Sequence, residues 1–363
     1  MSRSRWILAG ATVALVLLTV WAVRDVGQNR GFVAREAPLF PRLPEQAASV
    51  RRIEIISANG RVTLHGRDAD WRVAEKHEFP ASAAKVRALL EGLAGLVLIE
   101  PRTADPERHA ALDLTLPDAP AGRGVLVRVL GEDDAVLAQV LLGKPRAAAG
   151  QGPRQLYLRL PDDDQTWLAE GKVDVQRTPQ LWLREEVVDL PQEQVRRVRV
   201  EHPKQPPLLL TRETAGEDFV LQALPDGRQP RVSGVGAAAY GLQHLPLQNV
   251  FKPDEVAGDW GDATQVTFDT FDGLSVMASV LQLRGVPYLR LSATVAAEAT
   301  ADQRRAVAPR AGQLNQELTD WVFVVPPHTA ASFTPQLDDL LEPLATDEDA
   351  SADSRRPPPL PGR

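Results

Sequence analysis

The chain carries the hexapeptide VRRIEI at residues 50–55 and a close copy of it, VRRVRV, at residues 195–200. Apolar residues alternate with charged ones in both copies, as on a β-strand that buries one face in a core. A Pro-led polar stretch precedes each hexapeptide, beginning at Pro44 in the first copy and at Pro191 in the second. The sequence therefore predicts the same strand twice, each time near the start of a folded unit.

Further landmarks repeat in the same order in the two halves of the chain. They are Leu64 with Leu210, Trp71 with Phe219, GLxxLxL at 92–98 and at 241–247, YLRL at 157–160 and at 288–291, Trp167 with Trp321, and TPQL at 178–181 and at 334–337. Ordered matches of this kind indicate an internal duplication. The sequence predicts repeat domain 1 at residues 44–189 and repeat domain 2 at residues 190–344.

Local patterns predict hairpins and covering helices within each copy. Asn59-Gly60 predicts a type I′ turn, and FDGL at 271–274 predicts a second hairpin. Ser82 is expected to begin a helix that places VxxLLxxL, residues 86–93, on one face. Residues 297–318 predict a helix broken at Pro309 that the first copy lacks.

These patterns predict an α+β fold: two tandem duplicated domains, each mainly antiparallel β-sheet with a few covering helices, behind an N-terminal transmembrane helix. A helix is also expected to close each copy, because a Thr-Pro pair stands at 178–179 and again at 334–335.

The N-terminal segment is typical of a membrane anchor. Residues 6–23 carry no charge, include Leu17, and have Trp6 and Trp21 near their ends, where indole rings favour the headgroup region. A helix over these residues would be about 27 Å long, close to the hydrocarbon thickness of a bilayer. Arg3 and Arg5 precede it and predict a cytoplasmic N-terminus. A cleaved signal peptide is the alternative, but the apolar run is longer than is usual there.

The predicted layout is a signal anchor at residues 1–24, a stalk at 25–43, the two repeat domains, and a disordered Pro-rich tail at 345–363. This places the protein at the cytoplasmic (inner) membrane, as a single-pass protein with an extracytoplasmic or periplasmic body.

Composition excludes several classes of function. The 363 residues include 41 Lys and Arg against 48 Asp and Glu, a net charge of −7, and no long basic run, so nucleic acid is not an expected partner. The chain has no cysteine, which excludes disulfides, thiolate metal sites and cysteine nucleophiles.

Candidate catalytic motifs are weak or missing. Gly234-Val235-Gly236 resembles part of a dinucleotide loop, but no apolar strand precedes it and the repeat places it at the start of a covering helix. The acids at 162–164 lack the spacing of a calcium loop and predict a hairpin turn. The six histidines are widely spaced, and no common nucleophile or phosphate motif occurs. We therefore predict no catalytic, cofactor-binding or metal-binding residues, no cofactor and no enzymatic activity.

Arginine and tryptophan supply the remaining candidates. The Arg clusters at 51–52 and 196–199 are interpreted as edge-strand charges that block aggregation, with binding as the alternative. Trp71, Trp167 and Trp321 stand at duplicated positions and are predicted core residues. Trp260, in a polar Gly-rich loop, is a speculative exposed contact.

The sequence resembles the bacterial domain-of-unknown-function family 4340. The residues that carry the resemblance are the N-terminal anchor, LFPxL at 39–43, VxxIxI at 50–55, Trp71, VxxLLxxL at 86–93, and ALDL at 111–114, where Ala111 replaces the Gly of the family pattern. The resemblance implies a membrane-anchored extracytoplasmic protein associated with ABC-type transport systems of the gliding-auxiliary kind. It implies no catalytic residue.

Three functions follow as hypotheses. The first is a non-catalytic accessory or scaffold component whose partners are inner-membrane ABC-type transporter subunits or envelope proteins. The second is a periplasmic ligand-binding protein with a site between the two repeats. The third is a hydrolase that uses an Asp/Glu pair brought together by folding.

The predicted anchor can be tested with Leu17→Arg. A charge at the centre of a membrane-spanning helix costs about 2.5–3.5 kcal/mol, so we expect a larger fraction of the variant than of the wild type to be extracted from membranes by alkaline carbonate. Gln28→Arg, beyond the span, is the matched control and should fractionate as the wild type does. Equal extraction of all three proteins would contradict the assignment.

Overall fold

The computed structural model describes residues 38–119, 122–146 and 154–342. Contacts divide the chain into two units: unit 1 comprises Met1–Glu75 and Ala83–Trp182, and unit 2 comprises Lys76–Ser82 and Leu183–Arg363.

The predicted anchor and tail lie outside the described residues. Among the helices that are described, none is long and apolar enough to cross a membrane. The predicted domain boundary at 189/190 stays a prediction, while the contacts divide the chain after Trp182.

Unit 1 contains one antiparallel sheet with the strand order β3-β2-β1-β6-β7-β8-β9-β5. Its strands are β1 (Arg52–Ser57), β2 (Gly60–Arg67), β3 (Asp70–Val73), β5 (Val97–Pro101), β6 (Val125–Leu130), β7 (Val136–Arg146), β8 (Gln155–Arg159) and β9 (Thr166–Glu170). The short β4 (Phe79–Pro80) lies in the segment that groups with unit 2. The helices of unit 1 are α1 (Leu43–Gln46) and α2 (Ala83–Ala94).

Unit 2 contains an eight-stranded antiparallel sheet with the order β12-β11-β10-β14-β15-β16-β17-β13. Its strands are β10 (Val195–Glu201), β11 (Leu208–Thr211), β12 (Val220–Leu221), β13 (Asn249–Phe251), β14 (Thr264–Thr270), β15 (Leu274–Leu283), β16 (Val286–Val295) and β17 (Val322–Val324). Its helices are α3 (Val232–Ala239), α4 (Ala301–Leu318) and α5 (Pro327–Phe333).

The two sheets have the same strand order when the strands of each unit are numbered from its own first strand. In each unit the chain first forms a three-stranded meander. It then passes through a helix to a strand at the far edge of the sheet, and the next strand returns to pair with the open side of the first strand. Residues 52–55 of the first hexapeptide lie in β1, and the second hexapeptide, 195–200, lies in the equivalent strand β10. This confirms the α+β class with two antiparallel sheets, and the shared order is what a duplication predicts.

Alternation along the first strand builds the core of unit 1. Ile53 and Ile55 are fully buried, and they stand opposite Leu64 and Val62 of β2 on one side. On the other side they stand opposite strand β6. Burying such side chains stabilises the fold by about 1.5–3 kcal/mol each, so the central strands contribute heavily to stability.

Helix α2 covers the sheet as the sequence predicts. It begins after Ser82, and Val86, Leu89 and Leu93 point into the core and are buried. Leu90, which the sequence places on the same face, is only half-buried and lies at the side of the helix. Gly95 follows the last helical residue.

One predicted turn and one predicted helix have a different conformation in the structure. Asn59 does not adopt a left-handed conformation, and of the Asn59-Gly60 pair only Gly60 has a positive φ, so the hairpin forms without a type I′ turn. The helix expected after Thr334-Pro335 is a 3-10 helix over Leu337–Leu340 capped by Gln336. Local sequence propensity predicted that a turn and a short helix form at these places, but not the conformation that each adopts.

Helix α4 is continuous, where the sequence predicts a break at Pro309. It begins at Ala301, later than expected, because Thr300 and Gln303 form a capping box. The Asn315 side chain accepts a hydrogen bond from the Ala293 amide at 2.7 Å and donates one to its carbonyl at 2.8 Å. Packing on β16 therefore holds the helix across a residue that removes one of its hydrogen bonds.

Candidate functional site

An apolar groove on unit 1 is the main candidate binding site. It has a volume of about 700 Å³. One wall is formed by α1 and the 3-10 turn Ala47–Ser49, and the other wall is formed by α2. The lining residues are Leu43, Pro44, Ala47, Ala48, Asp68, Trp71, Ala83, Val86, Arg87, Leu90, Glu91, Ala94 and Gly95.

Small side chains on both walls leave the groove open. The first wall presents Ala47 and Ala48, and the second presents Ala83 and Ala94. The walls themselves are anchored, because Leu43 at the start of α1 and Val86 in α2 are both buried. Two helical walls that are fixed by large residues but faced with alanine cannot fill the space between them, so a groove remains.

Trp71 supplies an aromatic surface to the groove. Its side chain is 4% exposed. The indole Nε1 donates a hydrogen bond to the backbone oxygen of Asp68 at 3.0 Å. The polar edge of the ring is thereby satisfied within the protein, and the almost fully buried ring forms part of the groove floor.

Three exposed charged residues stand among the groove-lining side chains. Arg87 and Glu91 lie one turn apart on α2, and Asp68 lies at the turn before β3. An apolar floor with a few charges is typical of a groove that takes an amphipathic helix or an apolar small molecule. This arrangement is suited to binding a ligand or a partner.

Unit 2 contains a second, polar cleft of about 370 Å³. At its centre, Arg197 makes a two-pronged ion pair with Asp269, through Nε at 2.8 Å and Nη2 at 2.7 Å, and a third contact from Nη1 to Glu298 at 2.6 Å. The hydrogen bond to Glu298 is the largest cause that raises the pKa of Arg197, and the same bond lowers the pKa of Glu298. The central cation of the cleft is thus already matched by two acids.

Arg212, which also lines this cleft, has a structural role. It is buried, and its guanidinium donates hydrogen bonds to the backbone oxygens of Val195 and Ala215. It also lies over the ring of Phe219, 4.5 Å from the centroid. Burial lowers the pKa of this guanidinium. Because its donors are occupied by the chain itself, Arg212 holds the local backbone in place.

The predicted Arg clusters are not on sheet edges, so the edge-strand interpretation is wrong. Strands β1 and β10 are interior strands, because the meander occupies one side and the returning strand the other. Arg51 pairs with Glu132 at 2.8 Å and Arg52 with Asp134 at 2.8 Å. Those acids belong to the turn between β6 and β7, and Arg197 of the second cluster pairs with Asp269 on the neighbouring strand β14.

The tryptophans fall into three environments. Trp71 is a core residue, as predicted, whereas Trp167 and Trp321 are half-buried. Trp260, the speculative contact, begins a 3-10 turn and is half-buried, with the guanidinium of Arg290 3.8 Å from its ring centroid. Its proposed contact role stays a prediction. Trp182, which no sequence pattern singled out, is fully buried.

The weaker motifs have structural roles. Gly234-Val235-Gly236 lies in helix α3, as the repeat predicts. The acids at 162–164 lie in the turn between β8 and β9. There, buried His109 bonds the Asp164 carbonyl at 2.9 Å. Within residues 38–119, 122–146 and 154–342, no three His, Asp or Glu side chains are grouped closely enough to hold a metal ion.

Sequence reasoning did not find the groove. Its walls come from chain positions that are far apart, and alanine carries no functional signal of its own. The one available signal was Leu90, which continues the apolar face of α2 beyond the part that the core covers.

Comparison with known proteins shows a match to a protein family. The family model described as "Domain of unknown function (DUF4340)" matches residues 71–255, which is half of the chain. No curated protein and no solved structure matches the chain.

The ion pairs of the polar cleft lead to a prediction for Arg197→Gln. Because Arg197 lowers the pKa of Glu298 in the folded protein, this pair stabilises the fold above the ordinary carboxyl pKa, and the stabilisation is lost as the pH falls through the lowered value. In the variant we expect the pKa of Glu298 to return to its usual range, as followed by carbon-13 NMR of labelled glutamate.

The control for this titration is Arg305→Gln. Arg305 lies on the exposed side of α4 and pairs with Asp302 at 3.5 Å. That substitution should leave the Glu298 titration unchanged. A Glu298 that titrates identically in the wild type and in Arg197→Gln would show that the pair does not control its charge.

Proposed function

The chain belongs to the DUF4340 family, and from this premise we propose that it is a membrane-anchored, extracytoplasmic accessory component of an ABC-type transport system of the gliding-auxiliary kind. In this proposal the protein is non-catalytic. Its two units arose by duplication, and it binds a transporter subunit on one side of the membrane while residues 1–24 hold it there. The family membership and the uncharged N-terminal segment support this location.

The apolar groove of unit 1 is the observation that carries the binding role. We assign as its occupant an amphipathic helix of a transporter subunit. Two helical walls with an apolar floor suit a helix that inserts one apolar face. The groove-lining charges define the flanks of that helix: a basic residue would meet Asp68 or Glu91, and an acidic residue would meet Arg87.

The position of the groove along the chain favours a partner in the membrane. Leu43 lines the groove and is the last residue of the predicted stalk. Pro38 and Leu39, at the end of that stalk, already lie on unit 1, where the Leu39 amide donates to the Leu96 carbonyl at 2.6 Å. Residues 25–37 span at most about 45 Å when extended, so unit 1 would stay close to the bilayer.

A second candidate function is binding of a small apolar ligand. The volume of the groove lies within the range of about 300–1,000 Å³ that small-molecule sites occupy. An acyl chain is the ligand that its apolar lining would suit. The hypothesis of a ligand site between the two copies and that of a hydrolase with an Asp/Glu pair stay predictions.

Ala47→Glu tests the groove as a docking surface. Ala47 is exposed and lines the groove, so a carboxylate there would place a charge against the apolar face of a bound helix without disturbing the core. When the tagged full-length protein is purified from its own membranes in mild detergent, we expect recovery of transporter subunits to fall at least about tenfold, as quantified by mass spectrometry.

Ala84→Glu is the matched control for this experiment. Ala84 is exposed on α2 but does not line the groove. It should recover the same subunits as the wild type. If no transporter subunit is recovered with the wild type, the accessory role is wrong. If both variants recover subunits equally, the role stands but the groove is not the docking surface.

A further inference from the structure

Unit 1 contains two adjoining cavities at the end of its sheet where β7 ends and β8 begins. Their volumes are about 250 and 210 Å³, and they share Gly143, Pro145 and Arg177. They lie apart from the apolar groove, with no lining residue in common. We refer to the two together as the basic pair of cavities.

Five cationic side chains line these cavities. They come from separate parts of the chain and are Arg123, Lys144, Arg154, Lys172 and Arg177. No run of the sequence brings them together, so the sequence alone shows no basic cluster at this place.

Acidic partners neutralise only two of the five. Arg123 stands 3.7 Å from Asp113, and Lys172 pairs with Asp174 at 2.8 Å. Lys144, Arg154 and Arg177 form no ion pair with any residue that the structure describes. The stretches of sequence 120–121 and 147–153, which lie between the described residues in the chain, contain no ionisable side chain. The cavities therefore carry an excess of positive charge on a chain whose net charge is −7.

The cleft of unit 2 makes the contrast clear. Its central Arg197 is matched by both Asp269 and Glu298, whereas three cations of the basic pair of cavities have no such match.

Like charges held together repel one another unless an anion offsets them. Arginine and lysine both bind phosphate oxygens, arginine through paired donors and lysine as a compact charge. Each cavity is smaller than the usual site of a drug-sized molecule, which selects a compact anionic group.

We propose that the basic pair of cavities binds the phosphate group of a small ligand. The ligand is either a free phosphate compound or the headgroup of an anionic phospholipid, since both present the same oxygens. This site does not depend on the groove or on the proposed transport role.

The test uses the full-length protein in an uncharged maltoside detergent. Isothermal titration calorimetry is performed with inorganic phosphate and with glycerophosphoglycerol, the headgroup of phosphatidylglycerol, and glycerol is the uncharged control. Binding of inorganic phosphate identifies a free phosphate compound as the source. Binding of glycerophosphoglycerol alone identifies the lipid headgroup. Either result supports the site, provided that glycerol gives no binding.

Substitutions then locate the binding. Removing one cation near an anionic group weakens binding about fivefold, so Lys144→Ala with Arg177→Ala should weaken it about 25-fold. Arg305→Ala, in α4 of unit 2, is the control and should bind as the wild type does. Circular dichroism checks that each variant is folded, and Arg154→Gln replaces the double variant if that one does not fold.

Two outcomes would overturn the proposal. One is the absence of binding for both phosphate-bearing probes at millimolar concentration. The other is binding that the folded Lys144, Arg177 or Arg154 variants leave at the wild-type affinity, because the phosphate would then lie elsewhere.

Discussion

Pairing of the first strand on both of its sides is the constraint on which each unit depends. Strand β1 pairs with β2, which follows it directly, and with β6, which arrives only after the chain has crossed to the far edge and returned. Strand β10 does the same with β11 and β14. The buried faces of β1 and β10 therefore set the register of the whole sheet, since a slip of one residue would bring charged side chains into the core. The helix that covers each sheet and the strand at its far edge both lie in the chain between the meander and the returning strand.

The groove and the basic pair of cavities both belong to unit 1, but they form in different ways. In the groove, buried residues fix two helical walls whose facing positions are alanine, which leaves an apolar space beside Trp71. In the basic pair of cavities, cations from distant chain positions lie at the end of the sheet where β7 ends and β8 begins. The unit 2 cleft has the same kinds of residues but pairs its central Arg197 internally. Two copies of one strand order thus carry different surfaces.

Patterns of local origin could be predicted from the sequence, and features that depend on distant residues could not. The hexapeptide strands, the FDGL hairpin and helix α2 follow from alternation, turn residues and helical spacing. The continuity of α4 through Pro309 could not be predicted, because Asn315 holds that helix on β16. The interior place of the Arg clusters required knowledge of the returning strand. The groove could not be predicted either, because its two walls come from separate parts of the chain and alanine carries no functional signal of its own.

The central claim is that the groove of unit 1 holds a transporter subunit, and site-specific photo-crosslinking in intact membranes tests it most directly. A photoreactive residue at Ala48, which lines the groove, should crosslink to a transporter subunit, because the side chain would lie against the bound helix. The same residue at Ala84, outside the groove, should give no such product. A crosslink at Ala48 to lipid alone, or one no stronger than that at Ala84, would contradict the claim.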